Sequence, residues 1–204
     1  MKNKILMLVI VSFLFMVFFS LNTYRPIFKK EKLKINVTTM GDIKKSDVNL
    51  ISNELTKFYQ AEIIHHSKID LIKPSKVKGL NKYDAGIILN TLDEKYKNHN
   101  HKVLLLTNYN ICTDRTLNGV THKNWGIFGM GKLGKKPCVV STHNMGKNYK
   151  DRLIKVSIHE TGHTLGIPHC KNAKCVMTDA KGKGSTVDNM TVWMCDDCKN
   201  KIKY

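Results

Sequence analysis

The chain has 204 residues, of which 42% are hydrophobic, and its formal net charge at pH 7 is +18. This length and apolar content suffice for one buried core, and the lack of internal repeats and of Pro-, Gly- or Ser-rich linkers excludes a repeat architecture and a second large domain. The positive charge is scattered lysine, without the arginine forks and interleaved aromatic residues of a specific nucleic-acid site. We therefore predict no specific nucleic-acid partner and interpret the lysines as a solubilising surface.

The N-terminal segment, residues 1–24, is predicted to be a signal peptide or a membrane anchor. Lys2 and Lys4 precede a run from Ile5 to Leu21 that contains no charged residue. This run is longer than the apolar core of a signal peptide, about 7 to 15 residues, and shorter than a full membrane span of about 20. No small-residue cleavage site follows, which favours an uncleaved anchor. Both alternatives predict a membrane-anchored or secreted protein with the membrane as a partner, and basic residues on both sides leave its orientation open.

Beyond this segment, a basic connector at residues 25–33 leads into a single predicted domain at residues 34–204. Alternating apolar and polar residues predict strands, and apolar residues at helical spacing predict helices. In chain order the predicted elements are a strand at 33–37, a helix at 46–59 capped by Ser46, a strand at 61–65, a helix at 84–96, a central strand at 103–106, and strands at 125–131 and 138–141. The glycines of residues 125–131 predict an edge strand. The pattern indicates an α+β or α/β-like fold with about four or five strands.

A further helix, starting at Tyr149, is predicted to carry two histidines on one face. Its apolar residues lead into the sequence His159-Glu160-Thr161-Gly162-His163. Because residues i and i+4 share one face of a helix, both imidazoles can reach one tetrahedral ion. Glu160 then lies beside the open coordination position, where it can act as general base toward water.

Three residues beyond the helix extend this motif. Gly166 suits a position that ends the helix in a left-handed conformation, and Pro168 prevents the helix from resuming. The resulting turn is expected to bring His169 back toward the metal, which gives three neutral nitrogen ligands and leaves the fourth position for water. This donor set predicts a catalytic and hydrolytic zinc centre rather than a structural one.

Four further cysteines form two close pairs, and Cys112 and Cys138 stand apart from them as ordinary buried thiols. The paired residues are Cys170, Cys175, Cys195 and Cys198. Four thiolates in two pairs suit a closed tetrahedral zinc, whose role is structural because no coordination position remains open. Two disulfide bonds are the alternative in an oxidising compartment. The spacing within the pairs favours zinc.

Taken together, these motifs resemble the archaemetzincin (archaelysin) branch of the metzincin metallopeptidases. The resemblance lies in the fixed positions and gaps of His159-Glu160-x-x-His163-x-x-Gly166-x-x-His169-Cys170, followed by Cys175, Met177, Cys195 and Cys198. It implies a catalytic Zn²⁺ on the three histidines, Glu160 as general base, Met177 as the Met-turn methionine, and a second, structural Zn²⁺ on the four cysteines. It also implies a metzincin-like zincin fold with a mixed twisted sheet, an active-site helix and a small C-terminal subdomain, and it assigns residues 125–131 to the strand that lines the substrate cleft.

The function predicted from the sequence is zinc-dependent hydrolysis of peptide bonds by a monomer, acting on short peptides as an aminopeptidase or an endopeptidase. A zinc-stabilised binding module with little or no turnover is the alternative, and the intact Glu160 argues against it. Nucleic-acid binding through the four cysteines is a third hypothesis, which predicts steeply salt-dependent binding of DNA or RNA.

Overall fold

Eight strands and five helices make up the described part of the chain, residues 32–65 and 68–202 of the computed structural model. The strands are β1 (Lys34–Met40), β2 (Glu62–His65), β3 (Tyr83–Asp84), β4 (Lys102–Thr107), β5 (Ile111–Leu117), β6 (Val120–Gly126), β7 (Gly129–Gly131) and β8 (Pro137–Ser141). The helices are α1 (Lys45–Tyr59), α2 (Ala85–Lys95), α3 (Tyr149–Thr164), α4 (Gly184–Asn189) and α5 (Asp196–Lys199), with a 3-10 turn at Lys73–Ser75. This content confirms the predicted α+β fold class.

The main sheet has five strands in the order β2-β1-β4-β8-β7. The first four strands in this order, β2, β1, β4 and β8, are parallel to one another. The fifth, β7, pairs with β8 in antiparallel orientation. The sheet is therefore mixed, and its size agrees with the predicted four or five strands. Residues Val103 to Thr107 of the central strand β4 are all buried, as expected of a parallel strand covered on both faces. The short, glycine-rich β7 forms an edge, as predicted.

Helices cover both faces of this sheet. Because successive side chains of a strand point to opposite faces, β4 contributes to two separate parts of the core. Leu104 and Leu106 pack in the cluster that contains residues of α1, α3 and the C-terminal segment. Val103 and Leu105 pack in the cluster that contains residues of α2. The helix α3, which carries the histidine motif, thus lies against the main sheet on the same side as α1.

Two tyrosine hydroxyl groups link α1 to α3. The Tyr59 hydroxyl donates to the Ile158 carbonyl at 2.8 Å, and the Tyr149 hydroxyl donates to a carboxylate oxygen of Asp47 at 2.7 Å. Burial, with Asp47 beside it, raises the pKa of Tyr149, so the phenol stays protonated and donates this hydrogen bond. The prediction that Ser46 caps α1 is wrong. The helix begins at Lys45, so Ser46 lies inside its first turn and cannot occupy the N-cap position.

A second, three-stranded sheet in the order β3-β5-β6 was not predicted. Its main part is the hairpin of β5 and β6, whose residues are largely polar and exposed and therefore lack a clear apolar alternation. The turn carries a usable signal, because Asn118 and Gly119 both have positive φ, 50° and 78°, and Asn-Gly is typical of two-residue hairpin loops. The predicted strand at 125–131 is in fact split, because β6 ends at Gly126 and β7 begins at Gly129.

The prediction of a membrane-anchored or secreted protein with a membrane partner is wrong. Among residues 32–65 and 68–202, no helix has the length and apolar character needed to cross a membrane. The longest helix of these described ranges, α3, has 16 residues and carries charged and polar side chains, whereas a span needs about 20 mostly apolar residues. The segment 1–24, on which that prediction was based, lies outside the described residues, as does most of the connector 25–33.

Candidate active site

Helix α3 ends in a turn that brings a third histidine close to the first two. The Ile167 N–H donates to the Gly162 carbonyl at 3.1 Å, and the Gly166 N–H donates to the His163 carbonyl at 3.0 Å. This pair of bonds, with Gly166 at a φ of 86°, is a Schellman motif, which satisfies carbonyls that the end of the helix leaves unpaired. The predicted left-handed role of Gly166 is confirmed. The chain then reverses, and His169 lies beside the helix.

The structure brings together the three predicted histidine ligands, called here the histidine cluster: His159, His163 and His169. The ring centroids of His159 and His163 are 4.6 Å apart, and that of His169 lies 5.3 Å and 4.8 Å from them. One nitrogen of each ring lies within 4.8 Å of the other two. His159 and His163 are buried, whereas the side chain of His169 is 50% exposed, so the cluster opens toward solvent on one side only.

Backbone carbonyls orient the two helical imidazoles. His159 Nδ1 lies 2.7 Å from the Val176 carbonyl oxygen, and His163 Nδ1 lies 2.8 Å from that of Ile167. A carbonyl oxygen can only accept, so both Nδ1 atoms carry the proton and both Nε2 atoms present a lone pair. These two Nε2 atoms are 3.0 Å apart. Neither can donate to the other, and such an arrangement suits a cation between them.

Burial keeps these imidazoles in the form that binds metal. Loss of hydration lowers the pKa of His159 to about 3, with the neighbouring His163 adding to the effect. The pKa of His163 is lowered for the same main reason. Both rings are therefore neutral at pH 7, and neutral imidazole is the ligand that zinc requires. The donor set fits a three-histidine zinc site.

Glu160 is buried next to the histidine cluster, with 8% of its surface exposed. Burial raises the pKa of its carboxyl group to about 8, and a backbone hydrogen bond from Gly131 acts in the opposite direction. The edge strand β7 approaches it closely, because a Cβ on Gly129 would lie 2.9 Å from Glu160 Oε1 and one on Gly131 would lie 2.5 Å from the Glu160 carbonyl oxygen. The glycines of β7 therefore let a strand edge lie directly against the helix that carries Glu160.

Met177 is buried against the helix below the histidine pair. A Cβ on Gly162, which lies between the two histidines in the sequence, would be only 2.5 Å from Met177 Sδ. The Met177 carbonyl also accepts a hydrogen bond from the Cys170 N–H at 2.8 Å. The two ends of the segment from Cys170 to Met177 are thus joined by a hydrogen bond, and its Met177 side chain packs against the helix.

The four paired cysteines also come together and are called here the cysteine cluster: Cys170, Cys175, Cys195 and Cys198. One sulfur from each lies within 4.8 Å of the other three, and none of these cysteines forms a disulfide bond. Cys170 Sγ and Cys195 Sγ are 3.7 Å apart, well beyond a disulfide bond of about 2.05 Å. Burial raises the pKa of the Cys175 and Cys198 thiols, so a nearby positive charge is needed to hold them as thiolates.

A cleft of about 560 Å³ opens over the histidine cluster and Glu160. Residues Gly126 to Met130 line one part of it, which agrees with the expected position of the glycine-rich stretch. The prediction from sequence missed several polar and charged residues that also line the cleft, namely Thr113, Arg115, Asp179, Lys181 and Lys183. These residues come from the hairpin of β5 and β6 and from the loop after Met177, and no local motif marks them in the sequence.

Comparison with known proteins connects this geometry to a family. The model of peptidase family M54 matches residues 143–204, the part that contains both clusters. An archaemetzincin of Halobacterium salinarum is 23% identical over an alignment of 183 positions that covers 83% of this chain and 99% of that protein. The crystal structure of the Archaeoglobus fulgidus archaemetzincin, at 27% identity, has a TM-score of 0.67 and covers 83% of this chain and 100% of its own.

A second crystal structure, the archaemetzincin of Methanopyrus kandleri, shares the fold with a TM-score of 0.69 at 22% identity, and it covers 85% of this chain and 95% of its own. The fold agreement therefore extends well beyond the short stretch that the family model matches. Together, the family model, the relatives and the solved structures support assignment to the archaemetzincin family, peptidase family M54, and indicate a zinc metallopeptidase.

Proposed function

We propose that this protein hydrolyses peptide bonds with a catalytic zinc held by His159, His163 and His169, and with Glu160 as general base. The observation that supports the proposal most strongly is the convergence of three imidazole nitrogens within 4.8 Å of one another, beside a buried carboxyl group in an open cleft. Three nitrogen ligands with one open side are the arrangement of catalytic zinc sites, whereas structural sites are closed.

The residues of the chain provide the proton transfers and the orientation of the site. When bound, zinc supplies Lewis-acid chemistry that polarises a carbonyl group and acidifies water. Burial disfavours the charged form of the Glu160 carboxyl group, and a zinc ion on the neighbouring histidines would favour it again. A carboxylate oxygen of Glu160 then accepts the proton of the attacking water and later delivers it to the leaving amine. Gly131 holds this carboxyl group in place, and the Val176 and Ile167 carbonyls hold the imidazoles, so the reacting groups are positioned before substrate binds.

The cysteine cluster is proposed to hold a second, structural zinc, which gives two Zn²⁺ ions per chain. The four sulfurs come from two segments that are distant in sequence, residues 170–175 and 195–198. A metal that joins them stabilises the C-terminal subdomain, because binding to a site absent from the unfolded chain adds to folding free energy. Met177 is proposed as the methionine of a tight turn that supports the histidine pair from below, on the basis of its packing against Gly162.

The proposed substrate is a short peptide, and aminopeptidase action is the finer form of the proposal for a monomeric enzyme. Asp179 supports this form because it lines the same cleft and its Oδ2 lies 4.0 Å from His169 Nδ1. An exposed carboxylate so close to the histidine cluster can bind the α-ammonium group of a substrate. N-acetylation of a cleaved peptide should then abolish its hydrolysis, and unchanged cleavage would establish endopeptidase action instead.

Substitution of Glu160 by Gln tests the proposed mechanism. The amide is nearly isosteric but cannot accept a proton, so kcat should fall by about 10²- to 10⁴-fold while the zinc content stays unchanged. Equal zinc content in the two proteins excludes loss of metal as the cause. If Glu160→Gln hydrolyses peptides as fast as the original protein, Glu160 is not the base. If neither protein hydrolyses any peptide, the zinc-stabilised binding module becomes the better description.

A further inference from the structure

Arg115, a cation in the wall of the cleft, has no carboxylate partner among residues 32–65 and 68–202. Its half-buried side chain lies on β5 and lines the cleft. None of the ion pairs and side-chain hydrogen bonds within this part of the chain involves its guanidinium group. A guanidinium group keeps its charge at physiological pH and presents five donors in a fixed planar arrangement. Its donors are therefore available to a ligand that enters the cleft.

The acidic residue next to Arg115 in sequence is already engaged elsewhere. Asp114 accepts hydrogen bonds from Lys123 Nζ at 2.5 Å and from the Asn124 N–H at 3.1 Å. Asp114 and Lys123 are both well exposed, with 47% and 72% of their side chains accessible, and neither lines the cleft. The hairpin thus pairs its charges on the outside and leaves an unpaired positive charge on the cleft side.

The guanidinium group is held in place by an aromatic ring and a loop. Its central carbon lies 5.8 Å from the centroid of the Trp125 ring, within the range of a cation–π interaction. Gly182, at a φ of 69°, packs against both side chains, because a Cβ there would overlap Arg115 Nη1 and lie 2.9 Å from Trp125 Nε1. Arg115 is therefore ordered before any ligand binds, which reduces the entropy lost on binding.

The loop that packs on Arg115 adds two more cations to the same wall. Lys181 and Lys183 line the cleft, and neither forms an ion pair within the described ranges. Asp179, the acidic residue of this loop, accepts from the Lys181 N–H at 2.8 Å and has its other oxygen 4.0 Å from His169. Negative charge is thus placed at the histidine cluster and positive charge at the wall that Arg115 forms, and this wall attracts anionic groups of a ligand.

We propose that Arg115 is a specificity-determining residue that binds a carboxylate group of the peptide substrate, an inference that rests on the proposed peptidase function. Two parallel N–H···O bonds from one guanidinium match a carboxylate, and Lys181 and Lys183 strengthen the attraction without fixing its geometry. The carboxylate can come from an acidic side chain or from the C-terminus of a short peptide. Both sources present the same group, and they are separable by experiment.

The test compares four peptides that differ only in these carboxylates: a Gln or Glu at one position, each with a free or an amidated C-terminus. The kcat/KM of the original protein should be higher for the peptides that carry the relevant carboxylate by about tenfold or more, as expected of a charge-assisted hydrogen-bonded pair. Arg115→Gln should remove this preference mainly through KM, by lowering kcat/KM more for the peptides with the relevant carboxylate than for the neutral peptide. Arg115→Lys should restore part of it, and high salt should weaken it in the original protein.

Lys123→Gln is the matched control, because it removes a positive charge from the same hairpin outside the cleft. It should keep the full preference. Equal cleavage of all four peptides by the original protein, or an equal loss on all four in Arg115→Gln, would overturn the inference. Hydrolysis of none of them would instead refute the proposed function. Binding then still tests Arg115. Trp193→Phe removes the second of the two tryptophans, so that fluorescence reports on Trp125 alone. Peptide binding is compared in zinc-loaded protein that carries Trp193→Phe and Glu160→Gln, with and without Arg115→Gln.

Discussion

The histidine cluster rests on a regular helix, whereas the cysteine cluster is built mostly from turns. His159 and His163 lie on the buried helix α3, whose backbone is held by the core, and only His169 comes from a turn. Cys170 and Cys175 lie in irregular chain, and Cys195 and Cys198 lie at the short helix α5. The helix can thus place two histidines without metal, whereas the cysteines come together only when two distant segments meet.

This difference predicts that substitutions in the cysteine cluster affect the histidine cluster, whereas substitutions in the histidine cluster leave the cysteine cluster intact. The cysteine-bearing segment supplies the Val176 carbonyl to His159 and places Met177 against Gly162. Conversely, within residues 32–65 and 68–202 the hydrogen bonds of His159 and His163 lead to backbone carbonyls and to each other, and none leads to the cysteine cluster. Loss of a histidine should therefore stay local, whereas loss of a cysteine should disturb both clusters. The following changes test that asymmetry.

His163→Ala should have the largest effect on catalysis and a small effect on the cysteine cluster. One of two zinc ions should be lost, and kcat/KM should fall by more than about 100-fold, the upper limit for residues that only support a metal ligand. Zinc content and peptide hydrolysis measure the two effects. His65→Ala, an exposed histidine on β2, is the control and should retain both ions. Retention of both ions in His163→Ala would show that this residue is not a ligand.

Cys195→Ser should remove the other zinc ion and also weaken catalysis, although no cysteine touches substrate. We expect a drop in kcat/KM of about 10- to 100-fold, because the segment that orients His159 and carries His169 is no longer fixed. Faster hydrogen exchange in residues 170–202 should accompany it. Cys112→Ser, which alters a buried thiol outside both clusters, should keep two zinc ions. Full activity in a Cys195→Ser protein that contains one zinc ion would refute the coupling.

Gly162→Ala tests the contact between the two regions directly. The added methyl group would meet Met177 Sδ at 2.5 Å, so the variant should lose about 1 to 3 kcal/mol of stability and part of its activity while both zinc ions stay bound. Chemical denaturation measures the stability. The same change in a Met177→Ala background should cost less, because the space is then free. An equal cost in both backgrounds would mean that Met177 is not the obstacle.

The smallest expected effect concerns an ion pair that joins α3 to α4 independently of both metals. Arg152 binds Asp188 through two hydrogen bonds of 2.8 Å and 2.7 Å, and these bonds lower the pKa of Asp188 from 3.8 to about 2. A carboxyl group with a lowered folded-state pKa stabilises the protein above its unfolded pKa of about 3.9, and this contribution disappears as the pH falls toward 2.

Asp188→Asn should therefore reduce stability by roughly 1 kcal/mol above pH 5, and the difference from the original protein should shrink between about pH 4 and pH 2. Urea unfolding at a series of pH values measures this difference in the free energy of unfolding. Both proteins contain the same metal ligands, so the effect of protonating those ligands is the same in both and drops out of the difference. Asp114→Asn, at the more exposed pair with Lys123, is the control and should change stability by less. A difference that does not vary with pH would contradict the assignment to Asp188.

Local sequence was sufficient for several features of the fold and the site. The i and i+4 spacing placed His159 and His163 on one face, and Gly166 adopts the left-handed turn expected of it. The apolar run at 103–106 is the central strand, and the glycines at 129–131 form an edge. These features depend on residues that are near one another in the chain, or on a burial pattern that composition reveals directly.

The tertiary structure decided the features that depend on contacts between distant residues. Asp47 lies in the first turn of α1, and it is buried where the Tyr149 hydroxyl reaches it from another helix. Arg115 lines the same cleft as a loop that begins 64 residues later, at Asp179. The Val176 carbonyl reaches His159 from a segment that follows the helix, where Met177 packs against Gly162. The spacing of the histidines and cysteines along the sequence thus determined which side chains can act as metal ligands. Packing between distant residues determined how these ligands are oriented and which charged residues line the cleft.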